Sequence, residues 1–107
     1  MLDEQIIREM ARRLASVARQ PARVILFGSH ARGDADGASD VDLLVVEETL
    51  EDKAAEYMRL RGALGSLPFG VDLLLLSRRD FERRSRVKGT LPYRALTEGR
   101  VLHDAAA

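Results

Sequence analysis

The chain has 107 residues, 46% of them hydrophobic and 32% charged, and its 17 basic side chains balance 17 acidic ones. This length allows one domain with a modest core, residues 1–107, and is too short for a catalytic domain plus a separate substrate domain. The chain contains no cysteine, which excludes a disulfide scaffold, a thiolate nucleophile and a cysteine-based zinc site. No apolar run approaches the roughly 18 residues that cross a bilayer, and residues 1–13 lack a signal-peptide core, so we expect a cytoplasmic protein outside the membrane.

Apolar spacing and helix or strand breakers predict the elements in chain order. Residues 2–18 place apolar side chains three and four apart, which predicts an amphipathic helix that ends before Pro21. Residues 23–27 form a β-branched and aromatic run that predicts a strand, and residues 28–39 predict a loop with at most one helical turn. After this loop the sequence predicts a strand buried on both faces at 41–46, then a helix that opens with a Thr49 and Asp52 capping box and runs to about Leu64. A turn at 65–70 leads to a second buried strand at 71–76 and to a short basic helix, which is capped by Ser77 and Asp80 and runs to about Val87. A helix from Thr90 to Gly99 and a short edge strand at 101–102 complete the chain. We therefore predict an α/β fold, with a small mixed sheet of three to four strands flanked by helices.

Charge is segregated along the chain although the net charge is zero. Residues 34–56 carry nine acids and one base, whereas residues 57–107 carry ten bases and five acids. A dense acidic segment is costly to fold unless it is solvated or neutralised, and a bound divalent cation would neutralise it. For residues 47–52 we expect a solvated loop and helix start.

Five arginines lie close together in the last third of the chain. They are Arg78, Arg79, Arg83, Arg84 and Arg86. Because few aromatic residues lie among them, a dedicated nucleic-acid surface is not expected. The run is either a solvated helix face or a surface that docks an acidic partner or RNA.

Three aspartates stand at or inside the two apolar strand segments. Asp40 and Asp42 are two residues apart, so in a strand their side chains point to the same face, about 6.5 to 7 Å apart along the chain. Asp72 is the only charge in the other segment, whose letters VDLLLL nearly repeat VDLLVV, and it completes a cluster if the two strands are neighbours. Like charges this close are unfavourable without a cation, and their hard oxygens suit Mg²⁺. The pattern predicts a three-carboxylate site that can hold two ions about 3.5 to 4 Å apart.

The turn before these aspartates offers groups for binding a phosphate chain. Gly28 lets the backbone approach a phosphate closely, and Ser29 adds a hydroxyl beside the amides of a following helical turn. Arg32 either reaches a phosphate or pairs with a nearby acid, Asp34 or Asp36. The sequence alone does not decide between these two roles. We expect His30 to be a loop side chain and not a ligand.

The stretch from Gly28 to Asp42 resembles the signature of the DNA polymerase beta-like nucleotidyltransferase superfamily, and within it the minimal nucleotidyltransferase branch. That signature is Gly-Ser, ten residues, then Asp-x-Asp, and Gly28-Ser29 and Asp40-Val41-Asp42 match it without a gap. Asp72 lies where the family's third carboxylate is expected. The resemblance implies a nucleotidyltransferase fold without the helical acceptor domain of larger relatives. It implies that Asp40, Asp42 and Asp72 bind the metal, that Asp72 helps to deprotonate the acceptor, and that Gly28 and Ser29, with Arg32 as the open case, bind the nucleoside triphosphate.

The same resemblance implies a function and a partner. It implies Mg²⁺-dependent transfer of AMP from ATP to a hydroxyl on a protein, because no acceptor domain is present. In the minimal branch the partner is often a small helical toxin of the HEPN type, and the nucleotidyltransferase acts as an MntA-like antitoxin. Two alternatives stay open: an antitoxin that acts by complex formation without catalysis, and transfer to a small molecule, which the missing second domain disfavours. The nucleotide base preference, the acceptor and a homo-oligomeric state are not determined by these motifs.

Overall fold

The structure, a computed structural model, describes residues 3–36 and 39–105. The predicted start of the first helix at residue 2 lies outside them, as do two residues of the motif loop, 37 and 38. Within the described residues the elements are α1 (Glu4–Val17), β1 (Ala22–Phe27), α2 (Ser29–Arg32), β2 (Val41–Glu47), α3 (Lys53–Leu64), β3 (Val71–Ser77), α4 (Arg78–Arg84), α5 (Leu91–Glu98) and β4 (Arg100–Asp104). The predicted order of elements is confirmed, and the basic helix is shorter than predicted.

Short polar side chains set where the helices begin. Asp3 accepts a hydrogen bond from the Ile6 N–H at 2.9 Å at the start of α1. Asp52 accepts from the Ala55 N–H at 3.1 Å and is the N-cap of α3. The predicted capping box with Thr49 as N-cap is therefore wrong, because Asp52 itself supplies the oxygen that the first free amides need.

The four strands form one mixed sheet in the order β3-β2-β1-β4. β1 pairs antiparallel with β2 and β4, and β2 pairs parallel with β3. The two VDLL segments are neighbours, which is the condition on which the aspartate cluster depended, and their register places Asp42 opposite Asp72. This pairing brings the only charged residues inside the two apolar runs to the same row of the sheet.

Two burial predictions are wrong. β3 is an edge strand, so its first half is only partly covered and Asp72 is exposed, whereas the apolar run predicted a strand buried on both faces. A run of apolar letters does not distinguish a central strand from an edge strand, because strand order is set by distant parts of the chain. Glu47, predicted in a solvated loop, is 1% exposed at the end of β2.

Helices cover both faces of the sheet. α1 and α3 pack on one face around Leu43, Val45 and Leu26. α4 and α5 cover the other face, where Phe81 and Ala95 pack with Leu44. Since side chains alternate along a strand, Asp42 belongs to the α4 and α5 face. None of the helices in the described part of the chain has the length and apolar character needed to cross a membrane.

Candidate active site

The turn between β1 and α2 brings the backbone against a carboxylate. Gly28 has φ 74° and ψ −155°, a conformation that L side chains rarely adopt, and a Cβ built there would lie 2.1 Å from Asp42 Oδ2. Only glycine therefore satisfies both the backbone conformation and the close approach. Ser29 begins α2, whose first amides have no acceptor within the helix. The turn that carries Gly28 and Ser29 therefore lies directly against Asp42.

Asp42 is held in an electrostatically unfavourable position. Its pKa is raised by burial, then by the charge of Asp72, which also lies within hydrogen-bonding reach, and by the charge of Asp40. His30 has the opposite, weaker effect on the Asp42 pKa. Among the described residues, no basic side chain forms an ion pair with any of the three aspartates. Within the described residues, the negative charge of this corner is therefore not balanced by an ion pair.

Asp40 lies beside the pair, over the turn that precedes β3. A Cβ built on Gly70 would lie 2.1 Å from Asp40 Oδ1, so the carboxylate occupies the space that the missing side chain leaves. The Gly70 carbonyl also accepts a hydrogen bond from the Val41 N–H at 3.0 Å, which holds the starts of β2 and β3 together. Gly70 was missed in the sequence, although its position directly before the second VDLL segment was a signal.

The three aspartates share one corner but do not form a single ligand set. Within residues 3–36 and 39–105, no three Asp, Glu or His side chains converge closely enough to hold one metal ion. Asp42 and Asp72 form the close pair, while Asp40 is directed toward Gly70. Two carboxylates still fit Mg²⁺, which is usually bound by one or two carboxylates with waters and substrate phosphates. The raised Asp42 pKa, caused first by burial and then by the charges of Asp72 and Asp40, supports this fit, because a divalent cation would stabilise the ionised carboxylates.

Arg32 and His30 are both engaged in contacts within the chain. Arg32 Nε donates to Asp34 Oδ2 and Arg32 Nη1 to Glu98 Oε1, each at 3.1 Å. Of its two predicted roles, the structure contains the pairing with Asp34, and adds a link from α2 to the end of α5 that no local pattern indicated. His30 Nε2 lies 3.2 Å from the Ser39 carbonyl oxygen, so it connects α2 to the loop before Asp40. Both contacts position the motif loop.

A second pair of carboxyl groups lies at the opposite end of β2. Glu47 and Glu56 are 1% and 3% exposed. Glu56 accepts from the Arg19 N–H at 3.0 Å and from Arg59 Nη1 at 2.7 Å. Neither Glu47 oxygen has a hydrogen-bond partner with good geometry, yet Glu56 and the Gln20 backbone lie close enough to affect its ionisation.

Burial and the neighbouring Glu56 raise the pKa of Glu47 to about 8. Burial also acts to raise the pKa of Glu56, but hydrogen bonds from Glu47, the Arg19 amide and Arg59 outweigh it and lower that pKa. The pair therefore shares one proton at neutral pH, and Glu47 carries it. Sequence reasoning missed this pair because the two residues lie in an acidic segment that looks solvated.

Sequence comparison identifies the family of the chain and two of its relatives. The chain matches the nucleotidyltransferase domain family over residues 4–102. It is 30% identical over 104 residues to the proposed protein adenylyltransferase MJ0604 of Methanocaldococcus jannaschii, covering 96% of this chain and 100% of that protein. A match at 43% identity to the proposed protein adenylyltransferase MJ0141 of the same organism covers 53 residues, 46% of this chain and 54% of that protein. The chain thus spans about half the length of this second relative.

Solved structures with the same architecture include a proposed nucleotidyltransferase from Sulfolobus solfataricus, with a TM-score of 0.62 at 23% identity over 94% of this chain and 78% of that one. A chain from a toxin-antitoxin complex with AMP-PNP superposes with a TM-score of 0.63 at 21% identity, over 91% of this chain and 73% of its own. A chain from the toxin-antitoxin pair MntA-HpeT has a TM-score of 0.62 at 24% identity, with coverage of 97% and 74%. These likenesses confirm the predicted fold.

Proposed function

Because the chain belongs to the nucleotidyltransferase domain family, as its motifs predicted, we propose that it transfers AMP from Mg²⁺-bound ATP to a hydroxyl group on a protein partner. That it is a nucleotidyltransferase follows from the family; the nucleotide, the metal and the acceptor are the proposal. The observation that carries the proposal is the in-register pair Asp42 and Asp72 directly beside the Gly28 turn. Nucleotidyl transfer requires groups that bind the outer phosphates, and it requires carboxylates near the phosphate that is attacked. This corner offers both.

The proposed reaction exchanges one phosphorus–oxygen bond for another. The acceptor hydroxyl oxygen bonds to the α-phosphorus, the bond from that phosphorus to the bridging oxygen breaks, and pyrophosphate leaves. In our proposal Asp72, the more exposed of the pair, accepts the proton of the hydroxyl. Gly28 and Ser29 hold the outer phosphates through backbone amides and the serine hydroxyl. Bound Mg²⁺ would neutralise the phosphate charge, with Asp42 and Asp72 as its ligands and Asp40 joining them.

Arg32 has a defined part in the proposal. In the structure its guanidinium is shared between Asp34 and Glu98, both on the surface. Ion pairs of an exposed guanidinium contribute little to stability, so a triphosphate can compete for the same side chain. We propose that Arg32 leaves Glu98 to contact a phosphate when the nucleotide binds.

The nature of the acceptor is supported by the relatives. MJ0604, which this chain matches over its whole length, is named as a proposed protein adenylyltransferase, and two structural neighbours are toxin-antitoxin complexes. We propose that the partner is a HEPN-type helical toxin, that this chain is its antitoxin, and that the reaction takes place in the cytoplasm. A non-catalytic antitoxin is the main competing function. It would neutralise the toxin by complex formation and would not need Asp42.

The decisive experiment combines the chain with the protein encoded beside its gene, ATP and Mg²⁺, and measures the intact mass of both proteins. We expect the partner to gain one AMP mass per modified site. Asp42→Asn and Asp72→Asn should each abolish the gain, whereas the control Glu51→Gln, an exposed carboxylate without an ion pair in the described chain, should retain it. Omission of Mg²⁺ should also abolish the gain.

The outcomes separate the competing functions. The catalytic proposal would be overturned in favour of complex formation by two results together. The Asp42→Asn variant would still neutralise the toxin, and the partner would gain no mass when it is incubated with the unaltered chain. Turnover of ATP with free hydroxyl compounds and no mass gain on any protein would assign a small-molecule acceptor. Competition by GTP, CTP and UTP in the same assay determines the base preference.

A further inference from the structure

The basic side chains of this chain differ sharply in whether they have ionic partners. Ten of the 17 form ion pairs within the described residues, including all three arginines of α1. The seven without an ion pair in the described chain are Lys53, Arg61, Arg79, Arg84, Arg86, Lys88 and Arg94. Five of these seven fall in residues 79–94, and all five are exposed. We call the exposed side chains of residues 79–96 the α4–α5 surface.

Exposed apolar side chains are concentrated on the same segment. Of the six large hydrophobic residues most exposed in the described chain, three are Val87 at 55%, Leu91 at 49% and Leu96 at 56%. Its aromatic residues are turned inward, since Phe81 is buried and Tyr93 is half-buried. Cations interleaved with aliphatic side chains and without exposed rings are poorly suited to stacking on bases. They suit a protein surface that presents carboxylates around an apolar centre.

The position of this surface relates it to the candidate active site. α4 and α5 pack on the face of the sheet to which Asp42 belongs, and the α5 end reaches the nucleotide loop through the Glu98 pair with Arg32. Arg86 and Leu96 line a cavity together with Val46 and Glu47, so most of this surface lies toward the end of β2 that is opposite Asp42, and only the end of α5 approaches the nucleotide loop. The opposite face, covered by α1, presents arginines already neutralised by Glu4 and Glu9.

We propose that the α4–α5 surface is the docking site for an acidic, amphipathic helix of the protein acceptor, with Arg79, Arg84, Arg86, Lys88 and Arg94 facing its carboxylates. The inference rests on the proposed function for the identity of the acceptor, but not for the existence of the surface. A partner docked here lies on the face of the sheet to which Asp42 belongs, and a part of it that extends past the end of α5 would bring its hydroxyl to the aspartates.

A binding measurement without nucleotide tests the surface by itself. The probes are a fluorescent helical peptide with a glutamate and leucine face, its glutamine counterpart, and a single-stranded RNA of mixed sequence. The test variant is Arg84→Glu with Arg86→Glu. The matched control is Lys53→Glu with Arg61→Glu, which changes the net charge equally at two other cations without ion pairs.

We expect the acidic peptide to bind more tightly than the glutamine peptide, and the test variant to weaken its binding at least about tenfold while the control changes it less than about twofold. Amide chemical-shift changes should map to residues 79–96. Equal weakening in both variants, absence of peptide binding, or tighter binding of RNA than of the acidic peptide at the same salt concentration would each overturn the proposal.

The same variants distinguish this inference from the proposed function. In the AMP-transfer assay the test variant should raise the KM for the partner protein and leave the affinity for ATP unchanged. If AMP transfer is absent altogether but the peptide result holds, the proposed function fails and the docking surface stands. If AMP transfer is normal and the test variant has no effect on either assay, the docking surface fails and the proposed function stands.

Discussion

Replacing Glu47 by glutamine should stabilise the protein at neutral pH. Glu47 is 1% exposed and its pKa of about 8 lies above its ordinary value of 4.5, so the folded chain binds the proton more tightly than the unfolded chain. The stability from this proton is fully present below about pH 4.5 and is lost as the pH rises through about 8. Glutamine is neutral at every pH in this range and has nearly the same size, so it occupies the site without needing a proton.

The size of the effect follows from the two pKa values. At pH 7 the solution is about 2.5 pH units above the ordinary pKa of a glutamate, so this side chain is ionised in the unfolded chain. Protonating it on folding therefore lowers the free energy of unfolding by about 3 kcal/mol. This figure is an upper bound, because the lowered pKa of Glu56 acts in the opposite sense. A gain of about 2 kcal/mol would raise the Tm of a domain of this size by about 10 °C.

Thermal unfolding between about pH 5 and pH 9, followed by circular dichroism, measures both the gain and its pH dependence. The unaltered protein should lose stability with rising pH over this range, while Glu47→Gln should show a flatter profile. Glu56→Gln is the control, and it should destabilise, because it removes the carboxylate that accepts from the Arg19 amide and Arg59. If Glu47→Gln lowers the Tm near pH 7, or keeps the pH profile of the unaltered protein, the account of a buried shared proton is refuted.

Three further predictions concern the candidate active site. Gly28→Ala should destabilise the fold by about 2 to 3 kcal/mol in chemical denaturation, because its φ of 74° disfavours a side chain and the new Cβ would clash with Asp42. The same variant should abolish AMP transfer. Unchanged stability would contradict the turn geometry. The backbone at Gly70 does not require glycine, so Gly70→Ala should change the free energy of unfolding by less than about 1 kcal/mol. The new Cβ should displace the Asp40 carboxylate and lower AMP transfer at least about tenfold. Normal transfer in this variant would show that Asp40 is not part of the site. Asp42→Asn should keep or raise the Tm, because burial and repulsion make the charge of Asp42 unfavourable in the fold. The same variant should lower AMP transfer at least about a hundredfold. A clear loss of Tm would indicate a structural role instead.

The motif segment was predictable because its information is local. The repeated VDLL letters predicted two strands, and both are present as β2 and β3. Glycine and serine after an apolar run likewise predicted the turn at residue 28. In these cases the residues that determine the geometry lie within the segment itself.

Features set by distant parts of the chain were not predictable. The edge position of β3, and with it the exposure of Asp72, depends on which strand the sheet ends with. The burial of Glu47 depends on α3 covering the end of β2, and the Arg32 pair with Glu98 joins residues 66 apart in sequence. A periodicity within one element carries no information on any of these contacts.

The outermost position of β3 in the sheet has a kinetic consequence. Nothing in the described chain lies beyond this strand, so Asp72 stands at a lateral rim that a folded macromolecule can meet from outside. An acceptor hydroxyl on such a macromolecule would reach Asp72 without displacing any other described strand. At low partner concentration, turnover would then follow the frequency of encounters, and it should rise with partner concentration until encounters no longer limit the rate.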